Sequence, residues 1–168
     1  GKYFVVEVET QNNYILDTKE YHFELTSKDN KTAIVYELYK TINYLKKGDI
    51  EFTKTDFVDG DVIPNTLIEI YTDKDKLVFS GKTDDKGIVI IEELRYGKYY
   101  ILEKEPATGY VLSKEKVYFE IKENGEVVKA TMTNKPITGK LEFTKTDLVD
   151  GAVIPNTLIE VYTEKDKL

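Results

Sequence analysis

The amino-acid sequence predicts an all-β chain built from tandem β-sandwich repeats. Three observations lead to this prediction. The chain matches itself at a fixed offset, its apolar residues alternate with polar ones, and Gly- or Asn-containing turns separate the alternating runs. The 168 residues are 40% hydrophobic and 33% charged, which is the composition of a globular protein.

The internal match sets the domain organisation. Residues 48–77 recur as residues 139–168 with 24 of 30 positions identical, at an offset of 91. A weaker match joins GKYFVVEVETQNNY at the start of the chain to GKYYILEKEPATGY in its middle. We therefore predict the C-terminal half of one repeat (1–47), a complete repeat (48–138) and the N-terminal part of the next (139–168). Arrays of this kind form stalks or filaments more often than enzymes.

Short strands account for most of the complete repeat. Ile50, Phe52 and Lys54 share one face of the first strand, and the run VYFEI has the same period of two. The turns VDGD, TDDKG, ATGY and ENGE separate the strands and leave six or seven of them, which is typical of a sandwich. In the first piece, 33–44 could form a short amphipathic helix, but its alignment with the last strand predicts β structure at least at its end.

Composition excludes several classes of function. The net charge of -7 argues against nucleic acid or an anionic membrane as a partner, and no apolar run approaches the roughly 18 residues of a membrane span. Without cysteine and with one histidine, the chain lacks the residues for disulfides, zinc sites and thiol catalysis. The aspartates at 73, 75, 84 and 85 lack the spacing of an EF-hand. We predict no metal, no cofactor and no enzyme activity on other molecules.

Three residues are polar at positions where the strand pattern predicts burial. Lys54 shares its face with Phe52, Glu103 follows Ile101 on another inward face, and Asn134 follows Met132. A buried ammonium or carboxylate must be paired, neutralised or consumed in a reaction, because an isolated buried charge is very unfavourable. An ordinary Lys54–Glu103 ion pair with Asn134 as a turn residue would also explain the pattern.

The order of short motifs along the chain resembles a known family. FTKTD, IPNTLIEIY, TDDKG, GKYYILEKEPATGY and TNKP follow one another as in the CnaB-type (SpaA-like, prealbumin-like) domain of Gram-positive surface proteins and pilins. The resemblance covers the complete repeat from end to end, and each flanking piece resembles its own half. It implies an immunoglobulin-like or prealbumin-like β-sandwich.

The resemblance also implies a self-formed intramolecular isopeptide bond. Carried over residue by residue, it makes Lys54 the nucleophile, Asn134 the electrophile and Glu103 the proton shuttle. Burial favours the neutral forms of an amine and a carboxylic acid, and a folded sandwich holds the partners at high effective concentration, so no external enzyme is needed. Each flank carries half of such a site: Glu7 with Asn43 in the first piece, and Lys145 in the last.

The function that we predict is a structural stalk or filament module, outside the cell, on the surface or wall of a Gram-positive bacterium. Its partners would be neighbouring repeats arranged head to tail, either in one continuous chain or as separate chains that complete one another. An adhesin module that binds host matrix proteins is the alternative. A small-ligand carrier on a transthyretin-like fold is a third possibility, but the sequence shows no pocket signature.

Overall fold

The computed structural model describes residues 1–26, 29 and 38–162, which contain nine β-strands and no helix. It divides into two compact units, Gly1–Ile137 and Thr138–Leu168. All nine strands lie in the first unit: β1 (Lys2–Val5), β2 (Tyr21–Glu24), β3 (Lys47–Asp56), β4 (Leu67–Thr72), β5 (Leu77–Lys82), β6 (Ile88–Arg95), β7 (Gly97–Glu105), β8 (Lys116–Ile121) and β9 (Val127–Asn134). The prediction of an all-β fold is confirmed.

Seven of the strands, β3 to β9, form a sandwich of two sheets. One sheet has the order β6-β3-β9 and the other β5-β4-β7-β8. Every pairing is antiparallel except that of β3 with β9, where the first and last strands of the repeat run parallel. The number of strands agrees with the six or seven that turn spacing predicts.

The core lies between these two sheets. Strand β3 alternates between partly buried and fully buried residues along its whole length, because successive side chains of a strand point to opposite faces. Its inward residues Ile50 and Phe52 are fully buried and pack with Ile70 and Ile101 from the opposite sheet. The residues that recur with a period of two in the sequence therefore form the buried face of this sheet.

Strands β1 and β2 pair with each other in the same register as β7 and β8. Lys2 lies opposite Glu24 as Lys98 lies opposite Glu120. The aromatic pair Tyr3–Phe23 stacks at a centroid distance of 5.7 Å, as its counterpart Tyr99–Phe119 does at 5.3 Å. The two segments thus have the same local structure, although among the described residues β1 and β2 pair with no third strand, whereas β7 also pairs with β4.

The predicted strand at the end of 33–44 is not present in its described part. Residues 38–44 contain no strand, and residues 33–37 lie outside the described residues. The counterpart of this segment, β9, is held in the sheet by pairing with β3. Among the described residues, 38–44 take part in no such strand pairing.

Residues 46 and 47 join the first piece to the complete repeat through several hydrogen bonds. The backbone carbonyl of Lys46 accepts a bond from Tyr96 N at 2.9 Å, and the carbonyl of Lys47 accepts one from Gly125 N at 2.7 Å. The Lys46 ammonium lies 3.1 Å from the carboxylate of Glu123. The connection is therefore held to two loops of the repeat that follows it.

The second unit, in its described part up to residue 162, keeps the turn that follows β3 in the complete repeat. Thr146 bridges Val153 as Thr55 bridges Val62, and Asp147 N donates to the carbonyl of Ala152. Its apolar side chains, Leu141 and Phe143 among them, are exposed. Among the described residues of the chain, no helix is long and apolar enough to cross a membrane.

Candidate functional site

Three polar side chains lie in the core of the sandwich. Lys54 is fully buried, and Glu103 and Asn134 are only 3% and 2% exposed. Lys54 and Asn134 come from adjacent parallel strands, β3 and β9, whereas Glu103 lies on β7 of the opposite sheet. The structure therefore places all three residues where the strand pattern predicts them, and the two sheets bring them together.

The three side chains are in direct contact. The Lys54 ammonium nitrogen Nζ donates a hydrogen bond to Asn134 Oδ1 at 2.6 Å. Asn134 Nδ2 donates to Glu103 Oε1 at 2.6 Å, and the same Glu103 oxygen lies 3.4 Å from Lys54 Nζ. One carboxylate oxygen thus faces both the amine nitrogen and the amide nitrogen.

Burial makes Lys54 easier to deprotonate. Loss of solvent around its ammonium lowers the pKa of Lys54 below the ordinary 10.5, and the attraction of the Glu103 carboxylate opposes this change without reversing it. A neutral amine is a nucleophile, whereas an ammonium ion is not. The site therefore favours the reactive form of the lysine more than water does.

The loop between β7 and β8 provides contacts that sequence reasoning missed. Ser113 N donates to the second carboxylate oxygen of Glu103, Oε2, at 2.5 Å. Val111 N donates to the carbonyl of Lys135, the residue that follows Asn134. These contacts are made by backbone groups, so no side-chain motif could have revealed them.

Asp56 is a second residue that the sequence reasoning did not single out. It is 7% exposed at the end of β3, where its register partner is Asn134. Its Oδ1 accepts a bond from Val58 N at 2.6 Å, and this bond lowers the pKa of Asp56. Phe57 N donates to the backbone carbonyl of Asn134, so the turn after β3 also holds the end of β9. The feature of the sequence that could have identified Asp56 is its position two residues after Lys54.

In the first piece, the predicted half-site residues Glu7 and Asn43 are in contact. Asn43 Nδ2 donates to both carboxylate oxygens of Glu7, at 2.7 and 2.9 Å, and Asp17 N donates to Glu7 Oε2 at 2.8 Å. The bond from Asp17 N, and after it the hydrogen bonding by Asn43, lower the pKa of Glu7. In the second unit Lys145 is exposed, and its carbonyl accepts a bond from Ile154 N as that of Lys54 does from Ile63 N.

The acidic residues of the chain do not gather into a metal site within the part that the structure describes, where no three His, Cys, Asp or Glu side chains are placed to hold an ion. Asp84 Oδ1 accepts bonds from Lys86 N and Ile88 N of its own turn. Asp75 accepts a bond from the Tyr100 hydroxyl. Both aspartates therefore stabilise local structure.

Comparison with known families identifies the sandwich. Residues 48–136 match the model of the SpaA prealbumin-like fold domain, which spans more than half of the chain. The chain belongs to this SpaA family. The resemblance seen in the sequence is therefore confirmed, and the family is one of non-enzymatic pilin and surface-protein domains.

Solved structures give the same result. The chain is 39% identical to the TIE protein of Bacillus anthracis over 90% of its own length, with a TM-score of 0.77, and spans 28% of that protein. It is 26% identical to BcpA, the major pilin subunit of Bacillus cereus, over 53% of its length and 29% of the pilin, with a TM-score of 0.51.

GBS52, the minor pilin of Streptococcus agalactiae, shares the fold with a TM-score of 0.51 at 16% identity, over 86% of this chain and 64% of the pilin. No curated protein matches the chain. The chain thus has pilin structures among its neighbours and spans under a third of both the TIE protein and BcpA.

Proposed function

We propose that this chain is a structural stalk or filament module of a Gram-positive cell-surface protein, stabilised by an isopeptide bond that it forms itself between Lys54 and Asn134. One observation carries the proposal. In the buried core, Glu103 Oε1 lies 2.6 Å from Asn134 Nδ2 and 3.4 Å from Lys54 Nζ. A simple ion pair does not require an amide in contact with both charged groups.

The geometry supports a balanced acyl transfer. The neutral Lys54 amine attacks Cγ of Asn134, and the new Nζ–Cγ bond replaces the Cγ–Nδ2 bond. Glu103 accepts one proton from Nζ and delivers one proton to Nδ2, which leaves as ammonia. Since Oε1 is near both nitrogens, one carboxyl group can serve both proton transfers without moving.

The position of the bond suits a load-bearing module. Lys54 and Asn134 are 80 residues apart, on the first and last strands of the repeat. Force applied at the two ends of a repeat would pass through the covalent bond instead of separating β3 from β9. A chain without cysteine would thus have a permanent cross-link that needs no redox chemistry.

The repeat organisation extends the proposal to the flanks. The first piece carries Glu7 and Asn43 in contact, and the last carries Lys145 just before the turn that matches the one after Lys54. We infer that each flank belongs to a neighbouring domain of a continuous head-to-tail array, with bonds from Lys145 and to Asn43 made within those domains. The pilin neighbours support assignment to the surface of a Gram-positive bacterium.

Intact mass tests the bond. We expect the purified chain to be lighter than its sequence mass by one ammonia, and the Glu103→Gln variant to keep its full mass because glutamine cannot carry the proton. Glu105→Gln is the matched control, since Glu105 is exposed near the end of the same strand. We also expect Glu103→Gln to unfold at a lower denaturant concentration, since closing an 80-residue loop contributes about 4–5 kcal/mol in the loop-entropy model.

A parent chain of full mass would contradict the proposal. So would loss of ammonia in Glu103→Gln at the rate of the Glu105→Gln control. In the linked parent, tandem mass spectrometry of a tryptic digest should find residues 54 and 134 in one branched peptide.

A further inference from the structure

The carboxylate of Glu103 is held from two sides. Its Oε1 faces Lys54 and Asn134, and its Oε2 accepts a 2.5 Å hydrogen bond from Ser113 N. A carboxylate is planar, so fixing the direction of Oε2 also fixes the direction of Oε1. Hydrogen bonds from an N–H group to an ionised carboxylate are among the stronger ones in proteins.

The loop that carries Ser113 is itself attached to the end of β9. Val111 N donates to the carbonyl of Lys135 at 2.9 Å, and Ile137 N donates to the carbonyl of Gly109 at 2.7 Å. The residues directly after Asn134 therefore set the position of the loop. Through Ser113 N, the same loop sets the position of the Glu103 carboxylate.

The same backbone arrangement recurs in the first piece of the chain. Asp17 N donates to Glu7 Oε2 at 2.8 Å, and Ile15 N donates to the carbonyl of Tyr44 at 2.8 Å. Each of these bonds has its counterpart at an equivalent position of the complete repeat. The contact to the glutamate is thus repeated while its donor residue changes from serine to aspartate.

The side chain at this position has a separate task. Ser113 Oγ accepts a bond from Glu115 N at 3.3 Å, and Asp17 Oδ1 accepts one from Lys19 N at 3.0 Å. Both side chains therefore cap the turn two residues further on. Only the backbone N–H group points at the glutamate.

We propose that the backbone N–H of Ser113 is a positioning group for the cross-linking reaction, which holds Glu103 Oε1 between the Lys54 amine and the Asn134 amide. The inference rests on the proposed function. Without this donor, the carboxyl group would rotate away from the two nitrogens and proton transfer would slow.

The test compares two substitutions at one position. Ser113→Pro removes the N–H donor, whereas Ser113→Ala keeps it and removes only the turn cap. The parent and each variant are made by chemical synthesis and kept unfolded in denaturant so that no bond has formed, then diluted to let them fold and sampled over time for ammonia loss by intact mass. We expect Ser113→Pro to react about tenfold more slowly or worse, which is the effect of one hydrogen bond to a charged group, and Ser113→Ala to react at nearly the parent rate.

Stability of the unlinked fold separates positioning from a merely structural effect. The same two substitutions are made in a Lys54→Met chain, which cannot react, and urea midpoints are measured. We expect the urea midpoints of Ser113→Pro and Ser113→Ala to be similar, whereas the reaction rates of the two variants should differ about tenfold or more. In the Lys54→Met chain we also expect the Ser113 amide proton far downfield in the NMR spectrum. Glu103→Gln should shift this signal, and Glu105→Gln should not.

Several results would overturn the inference. One is a parent that loses ammonia while a folded Ser113→Pro loses it equally fast, and another is Ser113→Ala as slow as Ser113→Pro. If Ser113→Pro does not fold, a Ser113 amide signal that does not shift in Glu103→Gln would also contradict the inference. A parent that never loses ammonia would contradict the proposed function itself.

Discussion

At the scale of single residues, Lys54 has an environment that is unusual for a lysine. Its ammonium is fully buried, yet its immediate polar partners are one carboxylate and one amide. Removing one partner of a buried ion pair costs about 3–5 kcal/mol, because the other charge is left without compensation. A covalent bond to Asn134 would remove the charge permanently, and with it the energetic cost of burying that charge.

The lowered pKa of Lys54 gives a prediction for pH dependence. In the unreacted chain the unfolded state binds more protons than the folded state between the lowered pKa and the ordinary 10.5. Stability of unlinked Glu103→Gln should therefore rise as pH increases through that window. Urea midpoints measured across this pH window check the prediction. The control is the double variant with both Glu103→Gln and Lys54→Met, whose midpoint should not rise in this way.

At the scale of elements, β3 organises the site. It pairs antiparallel with β6 on one side and parallel with β9 on the other, and it carries Lys54 near its end. The turn between β5 and β6 fixes this end of the strand, because Lys54 N donates to the carbonyl of Gly87 at 2.8 Å. The position of Lys54 is thus fixed by backbone pairing along both edges of its strand.

Gly87 provides a test at this scale. Its φ of 69° favours glycine, and a Cβ there would lie 2.7 Å from the carbonyl oxygen of Lys54. Gly60 has a similar φ of 81° but open space around it. We expect Gly60→Ala to lower the free energy of unfolding by about 1 kcal/mol and Gly87→Ala by roughly 2–4 kcal/mol.

Urea unfolding in the unlinked Glu103→Gln background measures both changes. The close approach also predicts that Gly87→Ala slows ammonia loss in the reactive chain, because the backbone of Lys54 must shift. Equal destabilisation by the two substitutions would show that the contact with Lys54 has no effect beyond the backbone strain.

At the scale of the whole molecule, the internal sequence match predicts parts of three repeats. The connection at residues 46 and 47 is hydrogen-bonded to two loops of the complete repeat. The second unit starts with the same sequence motif as the complete repeat. In the proposed array, force would be transmitted through one covalent bond per repeat.

Completing the third repeat should add a second bond. Residue 168 corresponds to residue 77, so residues 78–138 can be repeated directly after it. We expect the extended chain to lose two ammonia molecules and its Lys145→Arg variant to lose one, as counted by intact mass. Loss of a single ammonia by the extended chain would contradict the array. Covalent multimers of the 168-residue chain on a denaturing gel would instead indicate completion between separate chains.

The sequence by itself determined the class of fold and the three polar positions. Side chains of a strand alternate with a period of two, so Phe52 and Lys54 share a face whatever the strand pairs with. The identity of the repeats likewise needs no structure. These features are local along the chain, and local patterns can be seen in a sequence.

Only the tertiary structure decided which strands meet. The parallel pairing of β3 with β9 brings Asn134 beside Asp56, 78 residues away in sequence, and no local pattern specifies that register. The contact from Ser113 N to Glu103 was also invisible, since every non-proline residue carries the same backbone donor. The segment at 38–44 failed as a strand for the same reason: a strand exists through its partner, and the partner depends on the rest of the chain.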